Sequence, residues 1–222
     1  MTPDLVVFDC DGVLVDSERL TTRVEARVLT ELGWPMDQDE VVERWMGRTS
    51  GAQLADVAAR LGAAAADRFD RLTTAEVHTA FETELTAVPG VEALLDHLEA
   101  AAVATCVASS GSHIRMGVTL RVTGLRERFE GRIYSGTEVA HGKPAPDLFL
   151  HAADRMGVPP ARCAVVEDSV YGVQAAVAAG MAVYGFAGGL TPAPALAGAG
   201  AVVFDAMSDL VGLLSHSSSS RA

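Results

Sequence analysis

Short apolar runs alternate with amphipathic stretches over most of the chain. Leu5-Val6-Val7-Phe8 is four residues long and rich in β-branched side chains. A run of that length and content reads as a buried strand. Similar runs occur at Val103–Ser109, Gly131–Tyr134, Ala164–Glu167, Ala182–Phe186 and Val202–Phe204. Helical patterns lie between and after them, at Val91–Ala101, His113–Arg121, Asp147–Met156, Tyr171–Ala179 and Met207–Leu214. Strand–helix alternation of this kind predicts a parallel sheet with helices on both faces.

Between the first strand and this alternating region the pattern has no strand signal. Helical periods cover Glu18–Leu32, with Gly33 as a C-cap, then Asp39–Met46, Thr49–Leu61 and Ala66–Leu85, with Gly47 and Gly62 as breaks. The expected architecture is therefore α/β. A Rossmann-like core is expected from residues 1–16 and 86–215, with residues 17–85 inserted as an α-helical cap domain. The serine-rich stretch 216–222 reads as a disordered tail.

Composition narrows the partners. The chain has 222 residues, 49% of them hydrophobic, and a net charge of −12. Such a surface repels nucleic acid and anionic membranes, so neither is expected as a partner. No apolar run reaches membrane-spanning length, and the N-terminus enters a strand with no signal-peptide pattern. Cys10, Cys106 and Cys163 have no pairing pattern, which points to a reducing, cytoplasmic setting. Strand alternation turns Cys10 into the core, away from Asp9 and Asp11. A monomer is expected.

The chemistry gathers where strands end. Asp9-Cys10-Asp11-Gly12 closes the first strand. Two carboxylates crowded at a strand end call for a hard divalent cation or an acid/base role. Asp and Gly are also common in plain strand-to-loop turns, so the string alone carries either reading. Ser109 and Ser110 end a second run, Glu167-Asp168 ends a third, and Lys143 lies in the turn His141-Gly142-Lys143-Pro144. Lys143 is the only lysine, against sixteen arginines. A compact ammonium is not interchangeable with a planar guanidinium in a small charged pocket. Carboxylates, hydroxyls and one ammonium are the inventory of a phosphoryl-transfer site.

The segments Asp9–Ser17, Ser109, Gly142–Asp147 and Glu167-Asp168-Ser169 resemble, in order and spacing, the four motifs of the haloacid dehalogenase superfamily. They are most similar to its phosphatase and β-phosphoglucomutase branch. The resemblance implies that Asp9 is the nucleophile, forming an aspartyl phosphate, and Asp11 the general acid and base. It implies Mg2+ held by Asp9, the Asp11 carbonyl and Asp168, with Glu167. Ser109, with the N–H groups of Ser110 and Gly12, would hold the transferring oxygens, and Lys143 would offset their charge. Asp16 is read as structural and His141 as a solvated loop residue.

The expected partner is a small phosphorylated substrate. Cap residues would select it, with Arg48 and Thr49 the leading candidates. A guanidinium binds a carboxylate or phosphate bidentately, though an exposed arginine at a helix start is the plain alternative. Trp34 and Trp45 read as cap core. The β-phosphoglucomutases carry a histidine where this chain has Thr21, which favours a Mg2+-dependent phosphatase of sugar phosphates or sugar-acid phosphates, such as 6-phosphogluconate. A phosphosugar mutase is the alternative within enzymes, and a non-catalytic binding protein the alternative of another class.

Overall fold

A computed structural model describes residues 2–45 and 50–216. It divides the chain into two compact units, Met1–Asp16 with Thr86–Ala222, and Ser17–Leu85. Among the described residues no helix is long and apolar enough to cross a membrane.

The first strand is β1 (Leu5–Phe8), fully buried. The helical unit follows, with α1 (Ser17–Glu31), α2 (Gln38–Trp45), α3 (Ser50–Leu61) and α4 (Ala63–Glu84). Its core combines aliphatic side chains such as Val28, Leu29 and Val57 with an aromatic group that the half-buried Trp34 joins from the side. Trp45 is buried, packs edge-on against Trp34 with ring centroids 6.0 Å apart, and lies tilted against Phe69 at 5.9 Å. The Trp45 indole N–H donates to Asp56 Oδ2 at 3.1 Å, giving the buried ring the polar partner it needs.

The other unit continues with α5 (Val91–Ala100), β2 (Ala104–Ser109), α6 (His113–Val122), β3 (Ile133–Ser135), α7 (Asp147–Met156) and β4 (Cys163–Glu167). It closes with α8 (Val170–Ala178), β5 (Ala182–Phe186), α9 (Ala193–Ala199), β6 (Val202–Phe204) and α10 (Met207–His216). The strand order is β3-β2-β1-β4-β5-β6, all parallel. β1 is central, pairing Phe8 with Val107 on one side and Val166 on the other. Leu5 and Val7 enter a buried cluster with Leu148, Phe149, Val173 and Ala176 of α7 and α8. Phe8 alternates to the opposite face and packs edge-on against Phe129 at 6.3 Å.

Chain passages 14–16 and 86–88 run side by side. Asp16 N–H donates to Thr86 O at 3.0 Å and Val88 N–H to Leu14 O at 3.0 Å. This backbone pairing fixes where the chain leaves and re-enters the sheet unit.

Two sequence expectations shift. α4 begins three residues before Ala66, because Ala63-Ala64-Ala65 has high helix propensity and Gly62, at φ 91°, starts it. α9 is a helix that the Pro- and Gly-rich run around Pro192 and Pro194 did not suggest. Prolines at the start of a helix remove no hydrogen bond the helix uses.

Candidate active site

The parallel register brings the strand ends together. The Asp9 N–H continues the ladder by donating to Val166 O at 2.9 Å. Asp9 and Asp168 therefore leave adjacent strands at the same edge. Both are buried, as are Glu167 and Ser109. Chain ends of parallel strands are where open α/β sheets bind ligands.

Lys143 organises the centre. Its side chain is 5% exposed, and its Nζ lies 2.5 Å from Asp9 Oδ1 and 2.5 Å from Glu167 Oε1. The ammonium also donates to Ala108 O at 3.2 Å and sits 4.9 Å from the centroid of the Phe149 ring. Three hydrogen-bond acceptors thus match its three N–H groups. Burial alone would lower the Lys143 pKa, but the Asp9 and Glu167 carboxylates raise it beyond the ordinary lysine range. Burial pushes the Asp9 carboxyl up to about 7 against the pull of Lys143, and Glu167 and Asp11 add to the push.

Glu167 is fully engaged. Besides Lys143, its Oε2 accepts from Ser169 N–H at 2.8 Å and Ser169 Oγ at 2.9 Å. Gly172 in the first turn of α8 makes this possible, since a Cβ there would lie 1.8 Å from Glu167 Oε1. Ser169 caps that helix by accepting from Gly172 N–H at 3.0 Å.

Gly12 has a comparable role beside Asp168. It adopts φ +79°, and an added Cβ would lie 2.0 Å from Asp168 Oδ2. Its N–H, expected as a phosphate donor, donates to Val15 O at 2.9 Å. Gly189, beyond β5, forms the facing wall: its Cβ position lies 3.7 Å from Asp168 Oδ2 and 3.9 Å from Gly12 O.

The β2 end supplies hydroxyl and amide groups. Ser109 Oγ accepts from Gly111 N–H at 3.2 Å and keeps its own hydrogen for an oxygen ligand. Ser110 is exposed beside it. Ser135 Oγ donates to Gly111 O at 2.7 Å, which ties this loop to the end of β3. Cys10 points away as expected, fully buried with Sγ 3.8 Å from Thr119 Oγ1.

One contact was not legible beforehand. Arg115, in the first turn of α6, reaches Asp11: Nη2 donates to Oδ1 at 3.0 Å and Nε to Oδ2 at 3.3 Å. The one local signal was Ser112, whose side chain caps α6 by accepting from Arg115 N–H at 3.3 Å. That cap sets the start of the helix but does not say which strand end its first turn faces.

In the helical unit, Thr21 Oγ1 donates to Ser17 O at 2.9 Å, within its own helix. Arg48 and Thr49 lie outside the described residues.

A family model described as haloacid dehalogenase-like hydrolase matches residues 3–180. The chain belongs to that family. The 6-phosphogluconate phosphatase of Escherichia coli is 34% identical over 184 residues, covering 82% of each chain. A haloacid dehalogenase-like protein of unknown function from Agrobacterium tumefaciens has 38% identity and a TM-score of 0.85, over 96% of this chain and 97% of that one. A family hydrolase from Deinococcus radiodurans, solved with bound phosphate and sodium, has 34% identity and a TM-score of 0.83 over 96% of each chain. The named curated relatives include phosphatases, phosphoric monoester hydrolases of this family.

The site's donors suit a hard cation. Asp9 and Asp168 offer carboxylate oxygens, with the Gly12–Asp168–Gly189 cradle beside them. Among the described residues no three His, Cys, Asp or Glu side chains form a ready metal cage. Few protein ligands and an all-oxygen set fit Mg2+, which keeps several waters and takes substrate phosphate oxygens.

Proposed function

We propose that this hydrolase is a Mg2+-dependent phosphatase of small phosphorylated metabolites, acting on sugar phosphates or sugar-acid phosphates such as 6-phosphogluconate. The observation that carries this reading is the buried Asp9–Lys143–Glu167 cluster at the strand ends, with Ser109 alongside. The substrate class is suggested by the Escherichia coli relative, which spans a similar length.

Asp9 Oδ attacks phosphorus, forming an aspartyl phosphate as the bond to the leaving oxygen breaks, and Asp11 gives that oxygen a proton. Water then attacks the same phosphorus, loses its proton to Asp11 and frees Asp9 and inorganic phosphate. Ser109 Oγ and the Ser110 N–H hold the transferring oxygens. Lys143 keeps its charge throughout and offsets that of Asp9 and the phosphoryl group. Glu167 positions Lys143. Asp9, the Asp11 carbonyl and Asp168 would hold Mg2+, which supplies charge neutralisation at the phosphoryl oxygens. Arg48 and Thr49 remain the proposed substrate contacts.

The test is phosphate release from a panel of sugar phosphates and 6-phosphogluconate, with and without Mg2+. Release that requires Mg2+ and disappears in Asp9→Asn is the expected result. A folded protein that releases phosphate from no member overturns the reading. Isomer interconversion primed by a sugar bisphosphate, faster than phosphate release, would replace it with the mutase.

A further inference from the structure

We infer that Arg115 is the positioning residue for Asp11, aligning the carboxyl group that exchanges protons with the substrate. The inference rests on the reading of Asp11 above. Arg115 and Asp11 are 104 residues apart in sequence, yet guanidinium and carboxylate meet through two separate N–H donors, at 3.0 and 3.3 Å. Two parallel contacts of this kind fix direction as well as distance. A lone hydrogen bond would leave the carboxylate free to rotate.

The arginine is itself held. Its backbone N–H is bound by the Ser112 cap, and the loop before it is pinned on both sides of Gly111, by Ser109 and by Ser135. The Cβ position of Gly111 lies 3.5 Å from Ser109 Oγ, 3.6 Å from Asp11 Oδ2 and 3.7 Å from Arg115 Cδ. One glycine therefore borders the phosphate-binding hydroxyl, the acid/base carboxylate and the arginine stem together. A Cβ at 111 would meet all three at ordinary contact distance, so the loop passes close to each of them. At 39% side-chain exposure Arg115 is not a buried structural cation. The pair is half-buried, with Asp11 at 21% side-chain exposure, and the direction its fork fixes is expected to show in catalysis.

The leaving group separates positioning from general damage. A sugar alkoxide needs a proton from Asp11 as it departs, whereas p-nitrophenolate leaves without one. kcat/KM isolates this first chemical stage from the later hydrolysis of the aspartyl phosphate. For Arg115→Ala we expect kcat/KM on a sugar phosphate to fall on the order of ten- to a hundredfold, with about threefold or less on p-nitrophenyl phosphate. Asp11→Asn should show the same ester selectivity, and adding Arg115→Ala to it should cost little more, since the two act through one group. Arg115→Lys should recover part of the loss, because it restores charge without the fork. It also carries the comparison if the alanine variant does not fold.

Equal losses on both esters, additive losses in the double variant, or no loss on the sugar phosphate overturn the inference while leaving the phosphatase reading intact. A wild type inactive on both esters removes that reading, and this inference with it.

Discussion

Lys143 and Asp9, 134 residues apart, form a buried ion pair with Nζ 2.5 Å from Oδ1, and the same ammonium is shared with Glu167. Removing one member of such a cluster strands the others. Lys143→Met should abolish phosphate release and lower stability by roughly 3–5 kcal/mol, because two buried carboxylates lose their counter-charge. Chemical denaturation of the folded variant checks the second part. Unchanged stability would mean that the pair contributes nothing net. Lys143→Arg should also be inactive, since the planar head cannot occupy the ammonium's place between Asp9, Glu167 and Ala108 O.

Gly172→Ala tests the shelf under Glu167. Alanine normally stabilises a helix over glycine by about 1 kcal/mol. Here its Cβ would lie 1.8 Å from Glu167 Oε1, so the sign should reverse. A loss of about 1–3 kcal/mol, with reduced kcat, is the expected outcome of thermal unfolding and turnover measurements. A more stable variant would show that the carboxylate can move aside at little cost.

Gly12→Ala acts on the other strand end. Its Cβ would overlap Asp168 Oδ2, and the backbone at φ +79° disfavours any side chain. Displacing Asp168 should raise the Mg2+ concentration for half-maximal activity by about tenfold or more. Titration of activity with Mg2+ reads this directly, and direct Mg2+ binding by calorimetry reads it without turnover. Chelation should silence the wild type and be reversed by added Mg2+.

Glu138 gives a pH-dependence away from the catalytic carboxylates. Burial would raise its carboxyl, but the Ser135 N–H, followed by His113 and His151, outweighs this and holds it below the ordinary glutamate range. The contacts are 2.6 Å from Ser135 N, 2.8 Å to His113 and 3.2 Å to His151. A carboxyl lowered in the folded state binds fewer protons than in the unfolded chain. Its contribution is therefore complete above the unfolded value near 4.5 and is lost as pH falls below it. The wild type should unfold at higher temperature than Glu138→Gln at neutral pH, and the gap should close on acidification through this range. A gap constant with pH would exclude the linkage.

Local pattern alone was enough for much of the architecture. β1, the strands at Ala182–Phe186 and Val202–Phe204, and the helix Asp147–Met156 stand where the runs and periods place them, because a buried parallel strand must be continuously apolar and a surface helix must carry a stripe. The strand-end residues Asp9, Ser109, Glu167 and Asp168 were legible for a related reason: polar groups that interrupt or end apolar runs are costly unless something uses them; Lys143, in a turn, stood out as the only lysine. What tertiary structure decided was which of these groups face one another. Glu167 turns both oxygens to Lys143 and Ser169, and the Gly12 N–H is taken by Val15. Residue type could not distinguish these partners from ligands. Arg115 was invisible for the same reason. Sixteen arginines look alike in a sequence, and only the placement of the first turn of α6 beside the Asp11 loop brings one of them onto Asp11. Hydrophobic periodicity specifies which face of an element is buried, but a side-chain ion pair depends on three-dimensional register between elements distant in sequence, and period alone does not encode that register.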